Sequence, residues 1–288
     1  MVIPMVSKNN GKSITAACKA VELAFPIPDY LGNSWEIEMA HSAGVVLRHV
    51  RGDSEPPKLI DVGCGPMDKT AVFQTLGFDS WAIDDLSDPW VRRLNAEDKI
   101  REFASRLGIR FHLGTFEDHP QIPRNYFDVV TIFAVIEHLH ESPRMLLNLA
   151  GELLRPGGLL YITMPNSVNL RKRVAVLTGR TNYPDCRQFF YAPSPWRGHV
   201  REYTLAEARW ICEAAGWHVI TASTFECLAA ARLPAWLVPV FLLTGRFFPG
   251  IRSMLSVLAR KPEDWKSVPE DPGQYRQAVR HSVPPGVA

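Results

Sequence analysis

Cysteine is scarce and scattered in this chain: Cys18, Cys64, Cys186, Cys212 and Cys227, with no C-x-x-C pair among them. An odd number without paired spacing argues against a disulfide framework or a zinc ribbon and reads as free thiols in a reducing compartment. Charge of one sign is lacking too. The 32 Lys and Arg residues against 30 Asp and Glu leave a net charge of +2, too mild for a dedicated nucleic-acid binder. Long hydrophobic runs are absent with one near-exception, "LPAWLVPVFLLTG" from Leu233 to Gly245, bracketed by Arg232 and Arg246. A spanning helix needs roughly 20 apolar residues, and this run is shorter and broken by Pro234 and Pro239. A bilayer span is thereby excluded. Three readings remain: a segment lying in a membrane interface, a cover over a greasy pocket, or a core flap between two strands. The first residues, "MVIPMVSKNNGKS", lack the apolar stretch of a secretory signal. The expectation is a cytoplasmic protein able to touch a membrane peripherally through 233–245.

What is present is an alternation of helix and strand signals. Hydrophobic residues make up 46% and charged residues 22% of the 288 positions, which suits one enlarged α/β domain. Ser13 is placed to cap a helix over 13–25, which Pro26 and Pro28 stop, and a second helical pattern covers 35–50. Short, nearly continuous apolar runs then alternate with helical segments: "KLIDV", "SWAIDD", "IRFHLGTF", "FDVVTIF" and "LLYITMPN". Such runs predict a parallel sheet buried on both faces. Regularity lapses from Ser167 to Arg201 and returns at "TLAEARWICEAAGW", where Thr204 and Glu207 form a capping box. Two further strands are expected at "WHVITASTF" and "SMLSVLARK". The expected organisation is a helical lid segment at 1–34 and a main domain at 35–261, the latter carrying an insertion at 167–203. A disordered tail rich in proline is expected at 262–288.

The stretch "KLIDVGCGPMDKTAVFQTLG", Lys58 to Gly77, carries the first chemistry. A strand that turns at Gly63-Cys64-Gly65 into a helix N-terminus is the usual setting for a nucleotide-like ligand, because glycine lets the ligand approach the main chain. A nicotinamide dinucleotide would want G-x-G-x-x-G, and the third glycine falls here on Asp68, an acid that would face a pyrophosphate. A ligand without phosphate is favoured.

Six segments in order, "LIDVGCGP" (59–66), "AIDD" (82–85), "GTFED" (114–118), "FDVVTIFAVIEHL" (127–139), "LLRPGGLLYITMPN" (153–166) and "GHVREYTLAEARWICEAAGW" (198–217), resemble the class I S-adenosylmethionine-dependent methyltransferases. Within them the chain is most similar to the small-molecule branch that includes the ubiquinone-type O-methyltransferases. The resemblance implies a Rossmann-like α/β fold, a mostly parallel seven-stranded sheet with helices on both faces and a lid insertion. It implies S-adenosylmethionine as cofactor, with Gly63 and Gly65 at its methionine portion and Asp61 near its amino group. Asp84, with Asp85 as the alternative, lies at the distance expected of a ribose-binding acid. Thr115 and Phe116 would flank adenine, and Ala134 would begin the segment facing the sulfonium. Two departures stand out. Met67 occupies a position where the family often has glycine and would narrow the loop, and Thr115 stands where the family often has Asp.

Methyl transfer to a hydroxyl needs a base, and imidazole suits that near pH 7. His138, in "IEHLHESP" after the fourth strand, is the first candidate, and His199 in "GHVREY" the second. Arg201 and Tyr203 are candidate acceptor contacts. The 167–203 insertion interleaves basic and aromatic residues, which would suit an acidic or phosphate-bearing acceptor or an anionic surface. No metal is implied by residue spacing. The expected activity is methyl transfer to an oxygen of a small-molecule, glycan or lipid-linked acceptor. The alternatives are a non-catalytic S-adenosylmethionine-binding subunit and an N- or C-methyltransferase of a peripheral membrane substrate.

Overall fold

The structure, a computed structural model, describes residues 13–32, 34–50, 56–271 and 273–275. The expectations for the first residues, for the break at 51–55 and for the end of the tail lie outside them. In chain order the elements are α1 (Ile14–Ala24), α2 (Trp35–His49), β1 (Lys58–Val62), α3 (Asp68–Thr75), β2 (Asp79–Asp84), α4 (Pro89–Arg93), α5 (Glu97–Leu107), β3 (Arg110–Leu113) and β4 (Phe127–Phe133). There follow α6 (Pro143–Leu153), β5 (Leu154–Pro165), α7 (Leu170–Leu177), α8 (Cys186–Tyr191), α9 (Leu205–Ala214), β6 (His218–Phe225), α10 (Ala229–Arg232), α11 (Val238–Phe247) and β7 (Met254–Arg260).

The sheet has seven strands in the order β3-β2-β1-β4-β5-β7-β6. All neighbours pair in parallel except β7, which runs antiparallel to both β5 and β6. Alternate residues of one strand serve opposite faces. Leu59 and Val129 join one core with α1, α2, α3 and α5, while Ile60 and Val130 join the other with α6 and α9. Every residue of β4 is buried, as expected of a central strand covered on both sides. Strand order reverses between β1 and β4, and an open α/β sheet binds its ligand at the carboxyl ends of the strands flanking such a reversal.

Local signals act as their chemistry predicts. Ser13 Oγ accepts from Ala16 N at 3.1 Å, and Thr204 and Glu207 complete a capping box at α9. The N-terminal segment is more than a flap, since α1 buries Ala17, Cys18 and Val21 in the first core. The tail also departs from expectation. The Trp265 ring lies over Gly151 of α6 and donates Nε1–H to Ala215 O at 3.0 Å, and Val268 exchanges two hydrogen bonds with Asn148. A large ring with a glycine to rest on docks a segment that composition alone marks as disordered.

The insertion is not irregular throughout, for it folds α7 and α8. The apolar run forms most of α11, whose Val240, Leu242, Leu243 and Phe247 are exposed. That removes the core-flap reading, because the β6–β7 connection stands outside the sheet. No helix among the described residues is long and apolar enough to cross a membrane.

Candidate active site

The turn after β1 is drawn against β2: the N–H groups of Gly63 and Cys64 both donate to Ile83 O, at 2.9 and 3.3 Å. Gly63 (φ +70°) and Gly65 (φ +52°) take left-handed conformations, yet their surroundings differ. A Cβ on Gly63 would lie 2.5 Å from Val135 Cγ2, whereas one on Gly65 would meet nothing within 4 Å. Gly63 therefore lets the turn pack against the end of β4, and Gly65 leaves open space. Met67 corrects an expectation. It adopts φ +63° itself and sends its fully buried side chain into the first core, so it does not narrow the turn. Asp68 likewise does not face the ligand space, because its buried carboxylate accepts Trp35 Nε1–H at 2.8 Å and pairs with Lys69 at 3.2 Å. A pyrophosphate on this turn would therefore not face the Asp68 carboxylate. Cys64 is buried, which pushes its thiol well up, as suits a packing residue.

Of the two acids at the end of β2, it is Asp84 that faces the glycine turn. Its Oδ2 accepts Gly65 N–H at 2.8 Å and its Oδ1 accepts Leu86 N–H at 2.6 Å, while Asp85 turns outward to Ser87 N–H. Burial raises the Asp84 carboxyl, and the two backbone donors oppose that rise. Asp61 lies behind the turn, 1% exposed, with its oxygens accepting Thr70 Oγ1–H at 2.6 Å and Thr131 Oγ1–H at 2.8 Å. Burial pushes it up to about 7 against those hydroxyls. Asp61 thus ties β1 to β4 and to α3.

Gly114 N donates to Asp84 O at 3.0 Å, which brings the loop after β3 beside that acid. There Thr115 N–H and Oγ1–H both donate to Asp118, and Phe116 is half-buried against the second core. Ala134 completes this edge with φ +53°, a strained value for alanine. Sequence reasoning gave no role to Tyr30, whose ring lies 5.0 Å from Trp90 and within electrostatic reach of Asp84.

Beyond Ala134 a single-turn helix, Ile136–His138, presents one candidate base, His138, and the insertion brings the other, His199, against it. The rings of His138 and His199 meet edge to face at 4.8 Å although they are far apart in sequence. His138 Nδ1 donates to Arg197 O at 2.9 Å, and His199 Nδ1 donates to Glu202 Oε1 at 2.7 Å. A carbonyl and a carboxylate only accept, so both tautomers are set and both Nε2 atoms are left to face inward. Each Nε2 lies 4.0 Å from Glu137 Oε1. Burial, then the neighbouring His138 and Lys172, lowers His199 to about 4, so its ring is neutral at pH 7. Glu202 does not reverse this, since it also pairs with Lys172.

Glu137 is the residue that sequence reasoning passed over. It is fully buried, neither carboxyl oxygen has a hydrogen-bond partner, and burial pushes it up to about 8. Its backbone O accepts Val200 N–H at 2.7 Å and Arg201 N–H at 3.2 Å, which is what carries His199 to His138. Only the "IEH" adjacency hinted at it. Glu137, His138 and His199 also place one potential ligating atom each within 4.8 Å of one another, His199 being brought there from far along the chain.

These histidines open into a cavity of about 690 Å³ walled by Arg171, Lys172, Tyr183, Trp196, Glu202 and Arg232. Arg201 lines an adjoining recess of about 430 Å³, its guanidinium 3.0 Å from Glu207. Tyr203 lines neither recess. A bridge to Asn166 draws it onto the sheet edge and its ring is buried in the second core, so it is not a contact of this cavity.

The sequence profile of a family described as "Methyltransferase domain" matches residues 39–222, well over half of the chain. The chain belongs to the methyltransferase domain family. It is 27% identical over 123 residues to a ubiquinone biosynthesis O-methyltransferase of Shewanella sp. (strain ANA-3), a match covering 42% of this chain and 49% of that one. The chain thus spans about half the length of such relatives. A SAM dependent methyltransferase from Archaeoglobus fulgidus superposes with a TM-score of 0.51 at 17% identity, covering 78% of this chain and 94% of that one. The [4+2]-cyclase SpnF superposes equally well, TM-score 0.51 at 16% identity, over 86% and 92% of the two chains. These structures share the fold, which is that of class I S-adenosylmethionine-dependent methyltransferases. The cofactor is S-adenosylmethionine. The residues present fit it: open space over Gly65 and a carboxylate at Asp84 that bridges the glycine turn and the end of β2.

Proposed function

We propose that this methyltransferase moves the methyl group of S-adenosylmethionine to an oxygen of a small-molecule, glycan or lipid-linked acceptor held in the cavity beside His138 and His199. The observation that carries the reading is the convergence of two imidazole Nε2 atoms, each with its tautomer set from behind, just past the strand end that follows the cofactor turn. Gly63, Gly65, Asp61, Asp84, Thr115, Phe116 and Ala134 form the cofactor side, with Asp84 directed at the ribose hydroxyls and Asp61 holding the turn from behind.

When bound, S-adenosylmethionine supplies an electrophilic methyl group on a sulfonium. The chain aligns the acceptor oxygen and excludes water. His138 Nε2 takes the hydroxyl proton as the oxygen attacks; His199 is the alternate base, already neutral near pH 7. The protonated Glu137 carboxyl beneath them presents no negative charge that would hold His199 as imidazolium before the reaction. Arg171, Lys172 and Arg232 favour an acceptor bearing a carboxylate or phosphate. Fold alone names no acceptor, as the [4+2]-cyclase on the same fold illustrates.

The test is calorimetric titration with S-adenosylmethionine and S-adenosylhomocysteine, followed by label transfer from methyl-labelled cofactor to a panel of hydroxylated acids and lipid precursors. Asp84→Ala is expected to weaken cofactor binding at least tenfold, about 1.4 kcal/mol. His138→Gln is expected to keep binding and lose transfer. A His138→Gln, His199→Gln double variant that still transfers at the normal rate would remove the base assignment.

A further inference from the structure

We infer that α7, α8 and α11 form a docking face for an anionic lipid bilayer, with the histidine-lined cavity set in that face. The cavity's part in the inference rests on the proposed function; the docking face stands without it.

An amphipathic helix of a globular protein turns its apolar stripe to the core. Two helices here do the reverse. On α11, Val240, Leu243 and Phe247 recur at helical spacing on one side and are exposed, continuing the line of exposed Trp236 before the helix. On α7, Leu170, Val174 and Leu177 do the same, Leu177 reaching 85% exposure. The adjacent α8 adds Phe189, Phe190 and Tyr191, all exposed.

The helices belong to one side of the molecule. Asn166, which leads into α7, donates Nδ2–H to Gly250 O at 3.0 Å and to Arg252 O at 2.8 Å, just past α11. The Arg173 guanidinium of α7 lies 3.6 Å from where a Gly250 Cβ would stand. The cavity is walled from the same segments, by Arg171 of α7, Gln188 of α8 and Arg232 of α10.

Charge identifies the occupant. Residues 167–203 and 227–252 together hold ten of the Lys and Arg residues and only two acids, Asp185 and Glu202. The near-neutral chain is thus a composite: this side carries +8 and the rest −6. A partner must accept aliphatic and aromatic side chains at depth and present negative charge around them, and an anionic bilayer does both. Nucleic acid offers the charge but no apolar interior. A second copy of the chain would set +8 against +8. A lipid-borne acceptor could then pass from the bilayer into the cavity without crossing water.

The test is co-sedimentation of the full chain with phosphatidylcholine vesicles, with and without phosphatidylglycerol. Strong binding is expected only to the phosphatidylglycerol vesicles. Leu243→Glu with Phe247→Glu should reduce it at least tenfold, and Arg173→Glu with Arg187→Glu should abolish the preference for anionic vesicles. Neither pair touches the cofactor turn, so S-adenosylmethionine titration and thermal unfolding should stay at wild-type values and certify the fold. Failure of cofactor binding in the wild type, with vesicle binding intact, would sink the proposed activity and spare the docking face. Absence of vesicle binding, equal binding to uncharged vesicles, or binding indifferent to Leu243→Glu and Phe247→Glu would overturn the inference. Dimerisation that the same pair abolishes, without vesicle binding, would assign the face to a second copy and overturn it as well.

Discussion

Substituting alanine at Gly63 and at Gly65 separates the two reasons a binding turn uses glycine. Both positions have positive φ, and alanine there costs about 1–2 kcal/mol. At Gly63 the new methyl would stand 2.5 Å from Val135 Cγ2 and 3.2 Å from its Cγ1. Both branches belong to a short, stiff side chain, so backbone must move, and overpacking of that kind costs about 1–3 kcal/mol more. Gly63→Ala is therefore expected to lower stability by roughly 2–5 kcal/mol. Adding Val135→Ala should return the steric part and leave the conformational part. At Gly65 nothing stands within 4 Å, so Gly65→Ala should lose only about 1–2 kcal/mol of stability while filling the space over the turn. Urea unfolding reads the first quantity, and calorimetric titration with S-adenosylmethionine the second. Gly65→Ala should bind at least tenfold more weakly, out of proportion to its small loss of stability. A Gly65→Ala protein that binds normally would refute the cradle. A Gly63→Ala protein as stable as Gly65→Ala would refute the packing argument.

Glu137→Gln removes a carboxyl whose folded pKa of about 8 lies far above the ordinary glutamate value. Its contribution to stability is full below the unfolded pKa near 4 and is lost as pH rises through about 8, a total of roughly 3–5 kcal/mol. The glutamine variant should show a flatter fall of melting temperature between pH 5 and 8, as read in thermal scans at stepped pH (about that window). The slope should not vanish, because Asp61, raised to about 7, falls in the same window. Parallel curves for variant and wild type would mean Glu137 is ionised. A third prediction concerns the docked tail. A Cβ on Gly151 would strike the Trp265 ring at 2.2 Å, so Gly151→Ala should destabilise by about 1–3 kcal/mol. In a Trp265→Ala background the sign should reverse, since alanine favours the helix by about 1 kcal/mol. Additive effects in that cycle would mean the tail does not dock. A fourth uses the tautomer supports: Glu202→Gln should lower the transfer rate while leaving S-adenosylmethionine affinity unchanged, in steady-state and titration measurements side by side. Weaker cofactor binding would show that Glu202 acts through the fold instead.

The strands were legible because a sheet covered on both faces demands continuous apolar runs, and "LIDV" and "FDVVTIF" are such runs. The glycine turn was legible because Gly63 and Gly65 occupy backbone conformations that other residues resist. Met67 misled for the complementary reason: it takes the same conformation, but the core that receives its side chain is assembled from distant helices. The protonation of Glu137 and the meeting of His138 with His199 depend on the 167–203 insertion folding back, a long-range event with no local signature. The run at 233–245 was ambiguous in principle, since an apolar sequence reads alike whether it is buried in protein or offered to a surface.

The β6–β7 excursion is closed at its neck. Glu226, at the foot of β6, accepts from Leu228 N, Ser253 N and Ser253 Oγ, at 2.8 to 2.9 Å, while Phe225 and Met254 form the last ladder pair beneath it. The two ends of the excursion are therefore stapled together by contacts that involve none of the residues between 229 and 251. A segment closed at its base can be lengthened, shortened or exchanged with little entropic penalty to the sheet, because loop closure depends only weakly on length once the ends are fixed. The surface-seeking helix is in that sense a cassette: a graft of 226–253 onto another protein of this fold should carry its surface preference with it, and its replacement here by a short turn should leave a folded, cofactor-binding domain behind.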